Sequence, residues 1–291
     1  MNVAGLTYVL IALAIVTTIV FVNHKIKFVT NSYWFWLAVG GFCFIWVLAN
    51  RFIPDWINYW QNHDIAYADP GNINNSKIIS RAFMLDACPC FFSLLCISLI
   101  ADPSRRMARI FAPIALVGGT ITLCGTIAMN QGDINAIFDA RYLFFGIGTE
   151  KCYFIMHFMQ LVLGVGVLLN TPKSGWRVWI VSLGSFAVYI CYVEIMMAAT
   201  GCAWFTTGLS QNDYTSLGEY HIVNDVTGAD PKYCPLILLP FLMALGFVFG
   251  CVLKNFVFCR WIWSYGNVKS KDWKSYWNYN KFSKQTNKAW W

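Results

Sequence analysis

Long apolar runs recur along the whole chain, separated by short polar or charged segments. They span Val3 to Phe21, Tyr33 to Phe52, Ala82 to Ala101, Ile110 to Met129, Tyr153 to Leu169, Trp176 to Thr200 and Leu236 to Phe258. A helix needs about 20 mostly apolar residues to cross a bilayer. The pattern therefore predicts an all-α, polytopic membrane protein with seven transmembrane helices. No run alternates with the period of two that marks an outer-membrane barrel strand. The first run has no basic region before it and no small-residue cleavage site, and it is followed by His24, Lys25 and Lys27. It reads as a retained helix with its N-terminus outside, not a removed signal peptide.

Composition sharpens this picture. Of 291 residues, 58% are hydrophobic and 12% charged, against roughly 25% charged in a soluble domain. One set of alternate loops, with the tail, holds 15 of the 21 Lys and Arg and only Asp102 and Asp272 among acids. The other set holds 6 basic residues and 10 acids. The positive-inside rule then puts the N-terminus outside and the C-terminus in the cytoplasm of a multi-pass cell-membrane protein. The net charge of +7 belongs to the cytoplasmic face and fits contact with anionic lipid, not nucleic acid.

The chain divides into a seven-helix membrane domain, residues 1–260, and a cytoplasmic aromatic and basic interfacial tail, residues 261–291. The tail carries Trp261, Trp263, Trp273, Trp277, Trp290 and Trp291 among lysines, a composition suited to the headgroup region. There is no internal repeat, dinucleotide fingerprint, P-loop or HExxH motif. Asp55 to Arg81 and Cys202 to Pro235 read as outer loops, the first with a turn at Asp69-Pro70-Gly71-Asn72. Loops this long are lids, binding loops or solvated connections. Most of the eleven cysteines lie within spans, where a thiol packs as a small apolar group. Cys152, Cys202 and Cys234 fall near outer helix ends, and a bridge from Cys202 to Cys234 suits an oxidising outer space; sequence alone does not assign it.

Polar residues inside apolar runs are costly and are candidates for function. Counted from the outer ends of their spans, Cys88, His157 and Glu194 come out at one depth, with Asp86 two residues before the cysteine. Cys88 falls roughly 10 Å below Arg81 at 1.5 Å per residue. Pro89 frees a backbone carbonyl near Leu85 and is expected to kink the third span. A thiol becomes a good nucleophile when a base takes its proton, and an acid fixes the tautomer of that base. Cys88 with His157, supported by Glu194 and Asp86, is thus a candidate centre for acyl transfer through a thioester. Each residue also has a structural reading: cysteine as packing, histidine as a helix-to-helix hydrogen bond, and the acids as partners of Arg81 or Lys151. Metal binding is disfavoured because Cys88 and Cys90, two apart, face different sides of a helix. Haem would need a second ligand, and His63 and His221 lie on outer loops. No cofactor or metal is expected.

Leu85-Asp86-Ala87-Cys88 resembles the Leu-His-Leu-Cys signature of the bacterial YwaF-like integral membrane proteins, which are related to the eukaryotic transmembrane protein 164 family. Gly118-Gly119 is similar to that family's glycine-rich fourth span, and Phe154-Ile155-Met156-His157 to its aromatic stretch ending in histidine. The resemblance covers about residues 82 to 170. It implies a cysteine-dependent phospholipid acyltransferase in which Cys88 accepts the acyl group and His157 is the base. Asp86 stands where the family has histidine, the proline that usually precedes the motif is absent, and Glu194 lies near an expected asparagine.

Three functions follow. The first is a membrane-embedded thiol-dependent acyltransferase acting on phospholipid or other lipid acyl groups. The second is a transporter or solute-binding membrane subunit using the same polar layer. The third is an assembly partner that makes contact through its tail. Membrane lipids are the expected environment and substrate, nucleic acid is not an expected partner, and the sequence does not give the oligomeric state.

Overall fold

The computed structural model describes residues 11, 13–16, 18, 27–30, 32–128, 144–145, 151–170 and 176–202. Among these there is no strand, and the fold is all-helical. After a single turn at Lys27–Thr30 come α1 (Tyr33–Val47), a π-helical turn (Leu48–Phe52), α2 (Ile53–Gln61), α3 (His63–Ala68) and α4 (Ile73–Ala82). Then follow α5 (Ala87–Ala101), α6 (Arg106–Ala128), α7 (Tyr153–Asn170) and α8 (Trp176–Thr200). Four stretches are long and apolar enough to cross a membrane: Tyr33–Gln61, Asn74–Ala101, Tyr153–Asn170 and Ile180–Thr200. The expected span from Ile110 to Met129 falls on α6, a helix of 23 residues. The expected first span lies mostly, and the seventh span and the tail wholly, outside the described residues.

The first long helix is continuous through its π turn. Pro54 explains that turn: in an α-helix its ring would collide with the carbonyl of Asn50, four residues back, and the wider turn makes room. The extra residue also resets the faces of the helix. Trp34 and Ile45, three α turns apart, are exposed, and so are Ile53 and Trp60, two turns apart. Ile45 and Ile53 would be out of phase in an uninterrupted α-helix. One π turn brings them onto one side, and it keeps Val47, Arg51 and Asp55 on the buried side.

Small residues let the helices approach closely, as in membrane bundles. A Cβ on Gly119 of α6 would stand 2.7 Å from the His157 carbonyl oxygen on α7. Gly164 of α7 meets the Ala112 carbonyl at 3.0 Å, and Gly40 of α1 meets the Leu99 side chain at 2.9 Å. The core lies between α1, α5, α6 and α7, around Val47, Phe92, Leu95, Leu99, Ala112 and Met156.

Two expectations need correction. The expected outer loop from Asp55 to Arg81 is largely helical, forming α2, α3 and α4. Its turn does stand at Asp69–Asn72, where the Asn72 N–H donates to the Asp69 carbonyl and the Asn72 side chain caps α4 through Asn74 N. The third run is also not one helix from Ala82. The chain breaks at Phe83–Asp86, and α5 begins at Ala87. The break is a Schellman ending: the Leu85 N–H reaches the Ser80 carbonyl at 2.9 Å and the Met84 N–H reaches Arg81 at 3.4 Å. Met84 takes the left-handed position at φ 53° that glycine usually fills.

Candidate functional site

The break leaves carbonyls at the end of α4 that need donors, and aromatic side chains supply them. Tyr189 O–H donates to Leu85 at 2.5 Å, Tyr192 O–H to Phe83 at 2.6 Å, and Trp56 Nε1–H to Ala82 at 3.0 Å. The freed Leu85 carbonyl expected from Pro89 is thus present and satisfied. The expected kink is absent, because Pro89 lies in the first turn of α5, where a missing N–H costs no helical bond. For the same reason Cys88 is the second residue of α5 instead of sitting two turns inside a helix.

Asp86 precedes α5 at its N-cap position, but its carboxylate does not cap the helix. It accepts from Arg51 Nη2 at 3.1 Å. Arg51, at the π turn, also lies 3.8 Å from Asp55 and 3.6 Å from the Met156 sulfur of α7. All three charged residues are buried, at 9% exposure for Arg51, 6% for Asp55 and 7% for Asp86. One guanidinium therefore joins the π turn of the first long helix, the break before α5 and the start of α7. Arg51 closes the apolar run from Tyr33 to Phe52 and is not among the residues predicted for the site. The signal available was an arginine at the end of an apolar run with an aspartate four residues on.

The other predicted residues are placed as follows. The Cys88 thiol is 3.8 Å from Thr122 Oγ1 of α6 and would touch a Cβ on Gly118 at 3.4 Å. His157, on α7, is 3% exposed; its Nδ1 is 2.7 Å from the Tyr153 carbonyl, and its ring packs edge-on against Tyr153. No hydrogen bond joins the Cys88 sulfur to the His157 ring. The two residues do flank adjacent glycines of α6: Gly118 faces the thiol and Gly119 the His157 carbonyl. Gln160, missed in the sequence, bridges α7 to α5 by donating from Nε2 to the Cys88 carbonyl at 2.5 Å. Glu194 belongs to α8, and its side chain lies outside the described part.

The Cys202 thiol donates to the Ser76 carbonyl at 3.2 Å, and Cys234, the other half of the expected bridge, lies outside the described residues. Cys152, just ahead of α7, is a free thiol, and burial pushes it up to about 11. Among the described residues no group of three or more His, Cys, Asp and Glu is gathered to hold a metal ion.

A family model covers residues 8–288. The chain belongs to DUF5378, a family of unknown function. It is 28% identical over 173 residues to uncharacterized protein MG135 of Mycoplasma genitalium, a match covering 54% of this chain and 57% of that protein. It is 31% identical over 169 residues to the MG135 homolog of Mycoplasma pneumoniae, covering 56% of each. The chain thus spans a little over half the length of these relatives. No solved structure matches it.

Proposed function

We propose that this member of the DUF5378 family is a solute-binding or transporting protein of the cell membrane. In this reading seven helices cross the bilayer, with the N-terminus outside and the C-terminus in the cytoplasm. The alternation of basic and acidic loops supports that orientation, and the four apolar helices are compatible with it. The observation that carries the reading is the buried Arg51–Asp86 pair, which ties a π turn to a helix break. Irregular backbone at membrane depth is tolerated where it is buried in protein or lines a cavity, and broken helices mark the substrate sites of many transporters. Buried charges at such a break are expensive, and their usual use is to bind or pass a polar solute. The test compares uptake of isotope-labelled medium components by cells carrying matched levels of each variant. Asp86→Asn is expected to reduce accumulation of at least one solute about tenfold, with Cys88→Ser behaving like the wild type. An unchanged uptake profile in Asp86→Asn would remove this reading.

Thiol acyl transfer is the second reading, and the placing of Cys88 and His157 on adjacent glycines of α6 favours it. It needs a base on the sulfur, whereas the thiol's hydrogen-bond partner is the Thr122 hydroxyl. The resemblance to the YwaF-like proteins belongs with this reading. It requires that Cys88→Ser abolish labelling by a thiol-reactive lipid analogue and alter the lipid acyl profile.

A further inference from the structure

The first long helix keeps an apolar outer face past the end of its sequence run at Phe52. On α2, Ile53, Trp56, Ile57 and Trp60 point outward, at 42%, 37%, 51% and 76% exposure. Residues at this spacing share one face of a helix. The opposite face carries buried Asp55 and half-buried Tyr59. The π turn keeps the stripe in line with exposed Trp34 and Ile45 of α1, so one apolar flank extends from Trp34 to Trp60.

Length narrows what covers that flank. The stretch Tyr33–Gln61 has 29 residues, about 43 Å at 1.5 Å per residue. A bilayer's hydrocarbon core is about 30 Å thick, and the whole bilayer with its headgroups about 40–45 Å. Tryptophan concentrates at both edges of the core, because its ring is apolar and its N–H polar. Trp34 and Trp60 stand near opposite ends of the stretch, about 39 Å apart along the helix. At the usual tilt of about 20° that is about 37 Å along the membrane normal, which sets each indole a few ångström outside the core.

The side chains of the stripe favour lipid over another helix. Helices of this protein meet at Gly40, Gly119 and Gly164, where a Cβ would crowd the neighbour, and helix contacts in membranes are built on such small residues. The α2 stripe has none. Trp56 already donates its N–H to the Ala82 carbonyl at 3.0 Å, so the part of its ring that faces outward is apolar.

We infer that α2 is embedded in the bilayer, with Ile53, Trp56 and Ile57 against acyl chains and Trp60 among the headgroups. It continues the spanning helix and is not part of a water-exposed loop. This placement also sets a depth for the charged layer. Arg51 is about 13 Å along the helix from Trp60, so its pair with Asp86 lies about 9 Å inside the hydrocarbon core. The inference rests on the membrane placement in the solute-binding reading and gives the depth at which that solute is held.

The test uses full-length protein labelled with fluorotryptophan, in nanodiscs of phosphatidylcholine and phosphatidylglycerol. The Trp60 and Trp34 fluorine signals are assigned by their loss in Trp60→Phe and Trp34→Phe. Three paramagnetic probes are compared: a lipid with a nitroxide near its headgroup, a lipid with a nitroxide at its chain end, and a gadolinium chelate in water. The headgroup-proximal nitroxide is expected to broaden both signals about threefold more than either other probe. Strongest broadening of Trp60 by the chelate would overturn the inference and put α2 in water. Strongest broadening by the chain-end nitroxide would overturn it too, since Trp60 would then lie near the bilayer centre. A Trp60 signal untouched by all three probes would put protein on the stripe, a second copy or another part of this chain, and would also overturn it. Trp60 in water with uptake still lost in Asp86→Asn would sink this inference and leave the solute-binding reading standing. Trp60 at the headgroups with uptake unchanged in Asp86→Asn would do the reverse.

Discussion

Arg51 reaches Asp86 at 3.1 Å across the junction between the first long helix and the start of α5. Both are buried, so each compensates the other's charge. Removing one member of such a buried pair costs about 3–5 kcal/mol. Asp86→Asn is therefore expected to destabilise strongly. Arg51→Met should be worse, since it abandons both Asp86 and Asp55. Thermal unfolding of the purified variants checks the order, and additive effects in the double variant would show that the pair is not coupled.

The glycines of α6 separate two kinds of packing. Gly119→Ala drives a methyl group to 2.7 Å from one backbone atom and 2.9 Å from another on α7, so α6 and α7 must part, at about 1–3 kcal/mol. Gly118→Ala meets only the Cys88 sulfur, at 3.4 Å, and should cost little while slowing alkylation of that thiol. Gly41→Ala meets nothing within 4 Å and should be neutral or stabilising by up to about 1 kcal/mol. Melting temperatures in one detergent rank the three variants.

Tyr189→Phe removes the donor to the Leu85 carbonyl and leaves it buried without that bond. The expected loss is about 1–3 kcal/mol. Tyr192→Phe removes the equivalent donor to Phe83 at an exposed position, where water can replace it, and should cost less. Hydrogen exchange at Leu85 and Ala87 should rise in the first variant only.

Asp102 gives a pH signature outside the apolar spans. Burial pushes its carboxyl up, but hydrogen bonds from the Ser104 side chain and from the Met107, Ser104 and Arg106 backbone outweigh this and hold it below the usual value. A carboxyl lowered on folding stabilises above its unfolded value, about 3.9, and loses that contribution as pH falls through the lower folded value. Asp102→Asn should therefore be less stable than the wild type at pH 7. The difference should shrink below about pH 4. A gap that stays constant down to pH 2 would refute the assignment.

What the sequence made legible followed from long-range periodicity. Tyr153 and Thr200 stand at predicted ends of apolar runs and are helix ends in the structure, because hydrophobic length alone marks such limits. The break at Phe83–Asp86 was hidden. Met84 occupies a left-handed position where no glycine signals it, and the donors that sustain it, Tyr189 and Tyr192, come from a helix over a hundred residues away. The segment after Asp55 looked like a loop because its helices are short and amphipathic, and their partners are each other. For the site, Cys88, His157 and Asp86 were visible as polar letters in apolar words. Arg51 and Gln160 were not singled out, since their importance lies in which carboxylate and which carbonyl they reach.

The surplus residue in the Leu48–Phe52 turn acts as a spacer. Trimming one residue there would let the turn close to an ordinary α turn with Ile45 and Ile53 still in phase, seven residues apart, but it would return the Pro54 ring to the carbonyl four residues back. A one-codon deletion at this point should therefore do more harm than most point substitutions, although it removes no side chain that the layer uses.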